Sequence, residues 1–281
     1  MNLQNLYNKA LDRLLDKNVL INKFFDLLTK KLEEAKDTLF ERFEWQCSQS
    51  AKAAKFMYEN NTMYGYIPEE GIRSALKHGT TVIGHLGLAE TLQILIGKDQ
   101  TTGEGLELAV MIEKFLNTKC KEFKMKYKMN VGNYLTPAEN LCFTAMTKFK
   151  AKYGELDHIS TNKYFTNSIH VPVWDKIDPF EKADIESKLA NYSNAGCIFY
   201  SEFDASLQNN TEALEKFILY ALENCDMPYV ACNVPADTCS DCGYQGLIPG
   251  NCPQCGSSNI QRLRRITRIS YRRLQNCFQC R

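Results

Sequence analysis

The chain has 281 residues, 44% of them apolar and 24% charged, with a formal net charge of +1, so it can bury one large core or two smaller ones. No apolar run approaches a bilayer span, and the opening Met1-Asn2-Leu3-Gln4-Asn5 lacks the basic, apolar and small-residue succession of a leader, so neither a membrane span nor export is expected. The expected compartment is a reducing cytoplasm, where twelve cysteines are thiols or metal ligands.

The first forty-odd residues read as a helix. Ile21, Phe24, Phe25, Leu28, Leu32, Ala35, Leu39 and Phe43 recur at three- and four-residue steps, with Lys30, Lys31, Glu33, Glu34 and Asp37 on the other side. Its polar face is mixed in sign, which argues for a core helix over a membrane-surface one. From Met63 to Leu95, Gly65, Gly71, Gly79, Gly84 and Gly87 punctuate short apolar pieces. Such spacing fits tight turns or close backbone approach, as in active-site walls, and equally a loop-rich connection. His78 and His85, in the same span, read first as hydrogen-bonded structural residues.

Three helix starts follow. Thr101-Thr102-Gly103-Glu104 is a capping-box pattern, Thr136-Pro137-Ala138-Glu139 repeats it with proline at the first helical position, and Asp178-Pro179-Phe180-Glu181 is an acidic variant. Any functional claim for Glu139 therefore competes with its role as a capping carboxylate. Cys197 to Phe203 and Pro228 to Val234 read as extended and Thr211 to Glu223 as helical. That order implies a crossover between parallel strands, with Cys232 and Asn233 near the rim where α/β barrels place their chemistry.

The C-terminal part holds the spacing hardest to explain without a ligand. Cys239, Cys242, Cys252 and Cys255 form two CxxC pairs, each followed by glycine, Gly243 and Gly256. Each turn brings two sulfurs together, and two turns close a four-thiolate, structural zinc site. Disulfides and redox-active CxxC are the competing readings, and neither suits a cytoplasmic chain with two clustered pairs. The remaining cysteines are expected to be small buried apolar groups. After the last of the four come Arg262, Arg264, Arg265, Arg268, Arg272, Arg273 and Arg281, with no Asp or Glu beyond Asp241. Taken at face value, that tail is a nucleic-acid footprint.

Four separated stretches carry a resemblance: Thr136 to Glu139, Tyr164 to Val173, Cys197 to Asp204, and the ribbon followed by Arg264-Arg265-Ile266-Thr267. In that order they resemble the C-terminal portion of the anaerobic, class III ribonucleoside-triphosphate reductases. The resemblance implies an α/β fold, the second half of a ten-stranded barrel over residues 1–236, with a zinc ribbon at 237–267 and an aberrant tail at 268–281. It also implies reduction of ribonucleoside triphosphates to deoxyribonucleotides for DNA synthesis by glycyl and thiyl radical chemistry. A separate iron-sulfur, S-adenosylmethionine-dependent activase generates the radical, and the enzyme is a homodimer. By the same resemblance, Thr136, Glu139, Asn167 and His170 are substrate-pocket candidates, the helix start at Thr136 offering backbone amides to phosphate. The regulatory domain and the barrel half with the radical cysteine have no counterpart in this chain, so it is expected to be inactive alone. A separate polypeptide that supplies the missing half is a further expectation.

The departure from the family falls at Arg268. Where the family continues Arg-Arg-Ile-Thr with Gly-Tyr-Leu, the glycine being the radical carrier, this chain reads Arg268-Ile269-Ser270-Tyr271, and no glycine follows Gly256. Residues 268 to 281 can be written in codons that, with the first base dropped, read Gly-Tyr-Leu-Thr-Glu-Asp-Tyr-Lys-Thr-Ala-Phe-Asn-Ala-Gly. A one-base frameshift after Thr267 therefore accounts for both the missing glycine and the excess arginine. It also makes the third CxxC, Cys277 to Cys280, an accident of frame. If the tail is genuine, the alternative is a zinc-ribbon module that binds nucleic acid through its arginines.

Overall fold

The computed structural model describes residues 17–60, 62–203, 207, 210–234 and 236–263. The expected first helix is α1, Lys17–Cys47. Its apolar stripe packs on the main core through Ile21, Phe24, Phe25, Leu28, Leu32 and Leu39. One charged residue departs from the pattern. Lys36 is buried on that stripe, where Glu33, Asp37 and the Tyr127 hydroxyl satisfy it.

Beyond four short helical segments between Ala51 and Leu76, the chain alternates strand and helix: β1 Thr80–Gly84, α2 Leu88–Ile96, α3 Gly103–Tyr127, β2 Asn130–Tyr134, α4 Glu139–Tyr153, α5 Pro179–Ala190, β3 Phe199–Glu202, α6 Thr211–Leu219 and β4 Val230–Asn233. β1 pairs parallel with β2, in register Thr80 to Asn130, and β3 pairs parallel with β4, in register Phe199 to Val230. Residues 195 and 196 join the two pairs: the Ala195 amide donates to the Asn133 carbonyl, and the Leu135 amide to that of Gly196. Gly132 makes this approach feasible, because a Cβ there would lie 2.7 Å from that of Ala195. The result is an arc of parallel strands in chain order, each connection carrying at least one helix, as in barrel folds. Among the described residues, each of these four strands has one strand partner, and β2 meets residues 195 and 196 on its other side.

The core lies between this arc and its helices, with Leu92, Ala109, Leu116, Leu189, Phe199 and Phe217 among its buried members. Phe217 of α6 packs against Phe180, Phe199 and Phe203, fastening that helix over β3. Outside the CxxC pairs, Cys120, Cys142, Cys197 and Cys225 are buried as expected, and burial pushes the Cys120 and Cys197 thiols up to about 11. Cys47 and Cys232 are only half-buried, and Cys277 and Cys280 lie outside the described residues.

Two of the expected caps shift. α3 is capped by Thr102, whose hydroxyl accepts from the Gly105 amide, one residue later than the Thr101 pattern implied. Thr136 caps nothing: α4 begins at Glu139 after Ala138, with no side chain of its own turn accepting there. Asp178 caps α5 as expected, accepting from the Phe180 and Glu181 amides. The C-terminal portion is a three-stranded antiparallel sheet of β5 Ala236–Cys239, β6 Gln245–Gly246 and β7 Ile260–Leu263, with β5 central. No helix among the described residues is long and apolar enough to cross a membrane.

Candidate substrate pocket and metal centre

The two CxxC turns are built alike. The Gly243 amide donates to the Cys239 carbonyl and the Gly256 amide to the Cys252 carbonyl, both at 2.9 Å, with each glycine left-handed at φ 74° and 73°. That conformation is why glycine follows each pair. The four sulfurs lie within 4.8 Å of one another, Cys239 being 3.5 Å from Cys255 and Cys242 3.6 Å from Cys252. Zinc–sulfur bonds of about 2.3 Å require tetrahedral edges of about 3.8 Å, so the donor set fits a four-thiolate ion with little adjustment. The Ile248 amide, held at 2.8 Å by buried Asp237, anchors the same small core.

The second site gathers at the C-terminal ends of β1 and β2. Gly84 ends β1, and a Cβ there would meet the Thr136 methyl at 2.9 Å, so the glycine permits the close approach its spacing suggested. The segment 164–171 lies across these ends. Asn167 bridges to Leu86, the Ser168 hydroxyl donates to the carbonyls of His85 and Thr136, and Ser168 is left-handed at φ 43°. The Asn167 carboxamide oxygen accepts from the Ala138 amide at 2.8 Å, so α4 is capped from another segment. Thus Thr136, Asn167 and His170 are brought together, His170 donating its amide to the Asn167 carbonyl. Glu139 opens α4 beside them; its side chain lies outside the described residues. Arg268 also lies outside them.

His170 is 6% exposed and held from several sides. Its Nδ1 lies 2.8 Å from Glu186, its carbonyl accepts from Gln100, and its ring meets Tyr200 edge-on. Glu186 is 1% exposed and also accepts from the Val171 amide, with the Lys182 ammonium 3.6 Å away. Burial alone pushes the Glu186 carboxyl up, but Lys182, His170 and the Val171 amide together hold it below the ordinary carboxylate range. Glu90 of α2 receives the Thr166 amide and hydroxyl, and there burial wins and the carboxyl is raised. An apolar cavity of about 30 Å³, room for about one water, opens between Cys142, Asn167, His170, Trp174, Lys182 and Tyr200.

Sequence reasoning missed Glu90, Gln100, Lys182 and Glu186. The pair Lys182 and Glu186 has the i, i+4 spacing of an exposed helical ion pair, and only packing of α5 under the 164–171 segment makes it a buried one. Gln100 sat in a polar turn with no pattern to mark it. His85 was read as structural, and its Nε2 lies 3.0 Å from buried Glu113, off the hydrogen-bonding line, while Glu113 also receives the Asn133 amide group.

A sequence model of the family described as anaerobic ribonucleoside-triphosphate reductase matches residues 2–276. The chain is 26% identical over 260 residues to the anaerobic ribonucleoside-triphosphate reductase of Escherichia coli K12, covering 88% of the chain and 36% of that protein. It is 28% identical over 272 residues to that of Enterobacteria phage T4, covering 94% and 43%. The chain therefore spans well under half the length of these relatives. Among solved structures, an anaerobic ribonucleotide reductase superposes with a TM-score of 0.65 at 18% identity, covering 88% of this chain and 37% of that one. The Thermotoga maritima enzyme in complex with dATP and CTP superposes with a TM-score of 0.61 at 17% identity, covering 95% and 41%.

Proposed function

Because the chain belongs to the anaerobic ribonucleoside-triphosphate reductase family, we propose that it forms the C-terminal part of such an enzyme. In this reading it supplies one side of a barrel that reduces ribonucleoside triphosphates to deoxyribonucleoside triphosphates for DNA synthesis. The observation that carries the proposal is the family match over residues 2–276, together with the parallel arc and the four-thiolate ribbon that follows it.

The pocket residues bind and orient. The first-turn amides of α4, beyond the Ala138 amide that Asn167 occupies, are proposed to receive a phosphate, which gains most at a helix N-terminus. Asn167 holds that helix start against the ends of β1 and β2. Glu186 fixes His170 through Nδ1, leaving Nε2 as the ring nitrogen free to meet substrate. Cys239, Cys242, Cys252 and Cys255 hold zinc as a closed structural ion that keeps the ribbon folded. The proposed ligand class agrees with the nucleotides in the Thermotoga maritima complex. The working enzyme is proposed to be a cytoplasmic homodimer activated by an iron-sulfur, S-adenosylmethionine-dependent partner.

A glycyl radical does not fit this chain as it stands. Arg268 occupies the position after Arg-Arg-Ile-Thr, and a radical on an α-carbon needs the unhindered backbone that only glycine provides. The chain as written is therefore proposed to form no deoxyribonucleotide, even with the activase. A one-base frameshift after Thr267 remains our account of the tail; the family match takes in the ribbon as part of the reductase, which disfavours an independent nucleic-acid-binding module.

The test is to resequence the gene from the Cys252 codon to well past that of Arg281. A frame reading Arg-Arg-Ile-Thr-Gly-Tyr-Leu restores the radical site, and a glycyl signal should then follow activation. Confirmation of Arg268 in the genome leaves a pocket and ribbon without a radical, and deoxyribonucleotide formation by that product would overturn the reading.

A further inference from the structure

α3 has a second face that its core contacts do not use. Its inner face buries Leu108, Ala109, Ile112, Leu116, Cys120 and Phe123, which is what an amphipathic helix needs to hold its place. The outer face is not an ordinary solvated one. Met111, Lys114, Thr118, Lys121, Met125 and Lys128 follow one another at alternate three- and four-residue steps, and all six are exposed, Met111 by 54% and Met125 by 74%. Where the stripe begins, it borders an open hollow of about 390 Å³ that is also walled by Phe25 of α1 and by Phe115.

The charge on this face has one sign. Residues 114 to 128 hold six lysines and one acid, Glu122, and Lys119 pairs with that acid at 2.7 Å. Among the described residues Lys114, Lys121, Lys124 and Lys128 make no ion pair. The helix dipole accounts for lysine in the last turn of α3, but its effect falls off within that turn and leaves Lys114 and Lys121 unexplained. Lys128 adds a conformational argument. It is the C-cap of α3 and is left-handed at φ 55°, where glycine would sit without strain. The lysine keeps a cation on the stripe at a conformational cost.

We propose that the outer face of α3 is a docking surface for an acidic amphipathic helix of a partner protein. Steps of three and four residues keep a stripe in line with a second helix packed alongside, and from Met111 to Lys128 this one runs about 26 Å. The partner's apolar side chains seat on Met111, Met125 and the hollow beside Phe25 and Phe115, the thioethers adapting to their shape. Its carboxylates meet Lys114, Lys121, Lys124 and Lys128, which gives the pairing its selectivity. A nucleic acid would use the lysines and leave the methionines in water, so it is the poorer fit. The inference goes beyond the reductase reading and does not depend on it.

The experiment uses the full chain, loaded with zinc, and labelled peptides of about 18 residues, enough to run the length of the stripe. One has leucine at three- and four-residue steps with glutamate between, one has the same composition with the period scrambled, and one has lysine in place of glutamate. A duplex DNA is the fourth probe, and anisotropy reads binding. The expected result is a Kd of about 100 μM or tighter for the first peptide at low salt, at least about fivefold tighter than for the other two peptides, and weakened about tenfold at about 0.5 M salt. Lys121→Glu, and Met111→Gln combined with Met125→Gln, should each weaken binding about fivefold with helical circular dichroism unchanged. Lys128→Gly should weaken it while the unfolding midpoint stays the same or rises, because glycine relieves the left-handed cap. Equal binding of the scrambled peptide, or no binding at about 1 mM, would overturn the proposal. So would DNA binding that exceeds the peptide's and survives the methionine changes, which would make the stripe a phosphate site. Self-association of the chain that Lys121→Glu abolishes would overturn it too, since a second copy would then be the occupant.

Discussion

Glu186→Gln is the sharpest test of the pocket, because it removes a charge while preserving shape. In the wild type the Glu186 carboxylate meets His170 Nδ1 at 2.8 Å, the Val171 amide at 2.9 Å and Lys182 at 3.6 Å, all out of water. The glutamine oxygen can keep one of these donors, but its amide hydrogens then face another donor, and Lys182 loses its carboxylate. Breaking a buried pair by removing one partner costs about 3–5 kcal/mol, and the retained acceptor places this substitution at about 3 kcal/mol. Urea unfolding, followed by the fluorescence of Trp174 beside the cavity, measures it. The pH dependence has a fixed sign. The folded carboxyl is lowered from its ordinary value of 4.5, so its stabilisation is present above that pH and is lost as pH falls through the depressed folded value. The deficit of the variant should thus be full at pH 7 and shrink below about 4.5. A deficit under about 1 kcal/mol, or one that grows on acidification, would refute the buried ion network.

Asn167→Ala should cost about 1 kcal/mol, the worth of a helix N-cap, and weaken nucleoside triphosphate binding more than Asn167→Asp, measured by calorimetry on the same preparations. Gly84→Ala sets a Cβ against the Thr136 methyl; a loss of about 1–3 kcal/mol is expected, and recovery in the double variant with Thr136→Ser would identify that contact as the cause. One zinc per chain is expected by metal analysis, and chelation should melt the ribbon while the helical signal of residues 17–190 persists. Asp175 is pushed up to about 6 by burial and by Asp99. A raised carboxyl contributes stability that is lost as pH rises through the folded value. Asp175→Asn should therefore stabilise by about 1 kcal/mol above pH 6, after allowance for screening, and change little below about pH 4.

The pattern of what could be read in advance follows from the range of each interaction. Local rules found α1, the Asp178 cap, the β3-α6-β4 unit and the four-cysteine cluster, because a hydrophobic period, a cap or a CxxC turn is complete within a few residues. The Thr136 pattern misled for the same reason. It has the local form of a capping box, but proximity to β1 through Gly84 turned Thr136 toward the strand, and Asn167, some thirty residues away, took over the cap. Glu90, Gln100 and Glu186 were invisible because they act across 76, 69 and 16 residues. Their side chains look like ordinary helix-surface polar groups until a loop is laid over them. The strands β1 and β2 were hidden within the glycine-rich and pre-proline stretches, each only five residues long.

The distribution of these long-range contacts separates the pocket from the tail. The 164–171 segment is held by Glu90 of α2, Gln100, the carbonyls of His85 and Thr136, the Ala138 amide, and Glu186 of α5. Every one of those partners lies between residues 85 and 186. The contacts with Glu90, Gln100 and Glu186 are buried and cost desolvation if broken, so the segment is held in place by the fold itself. The stability of this segment, followed by hydrogen exchange of its amides, should therefore be the same in Arg268→Gly as in the wild type; loss of protection in that variant would show that the tail helps to hold it.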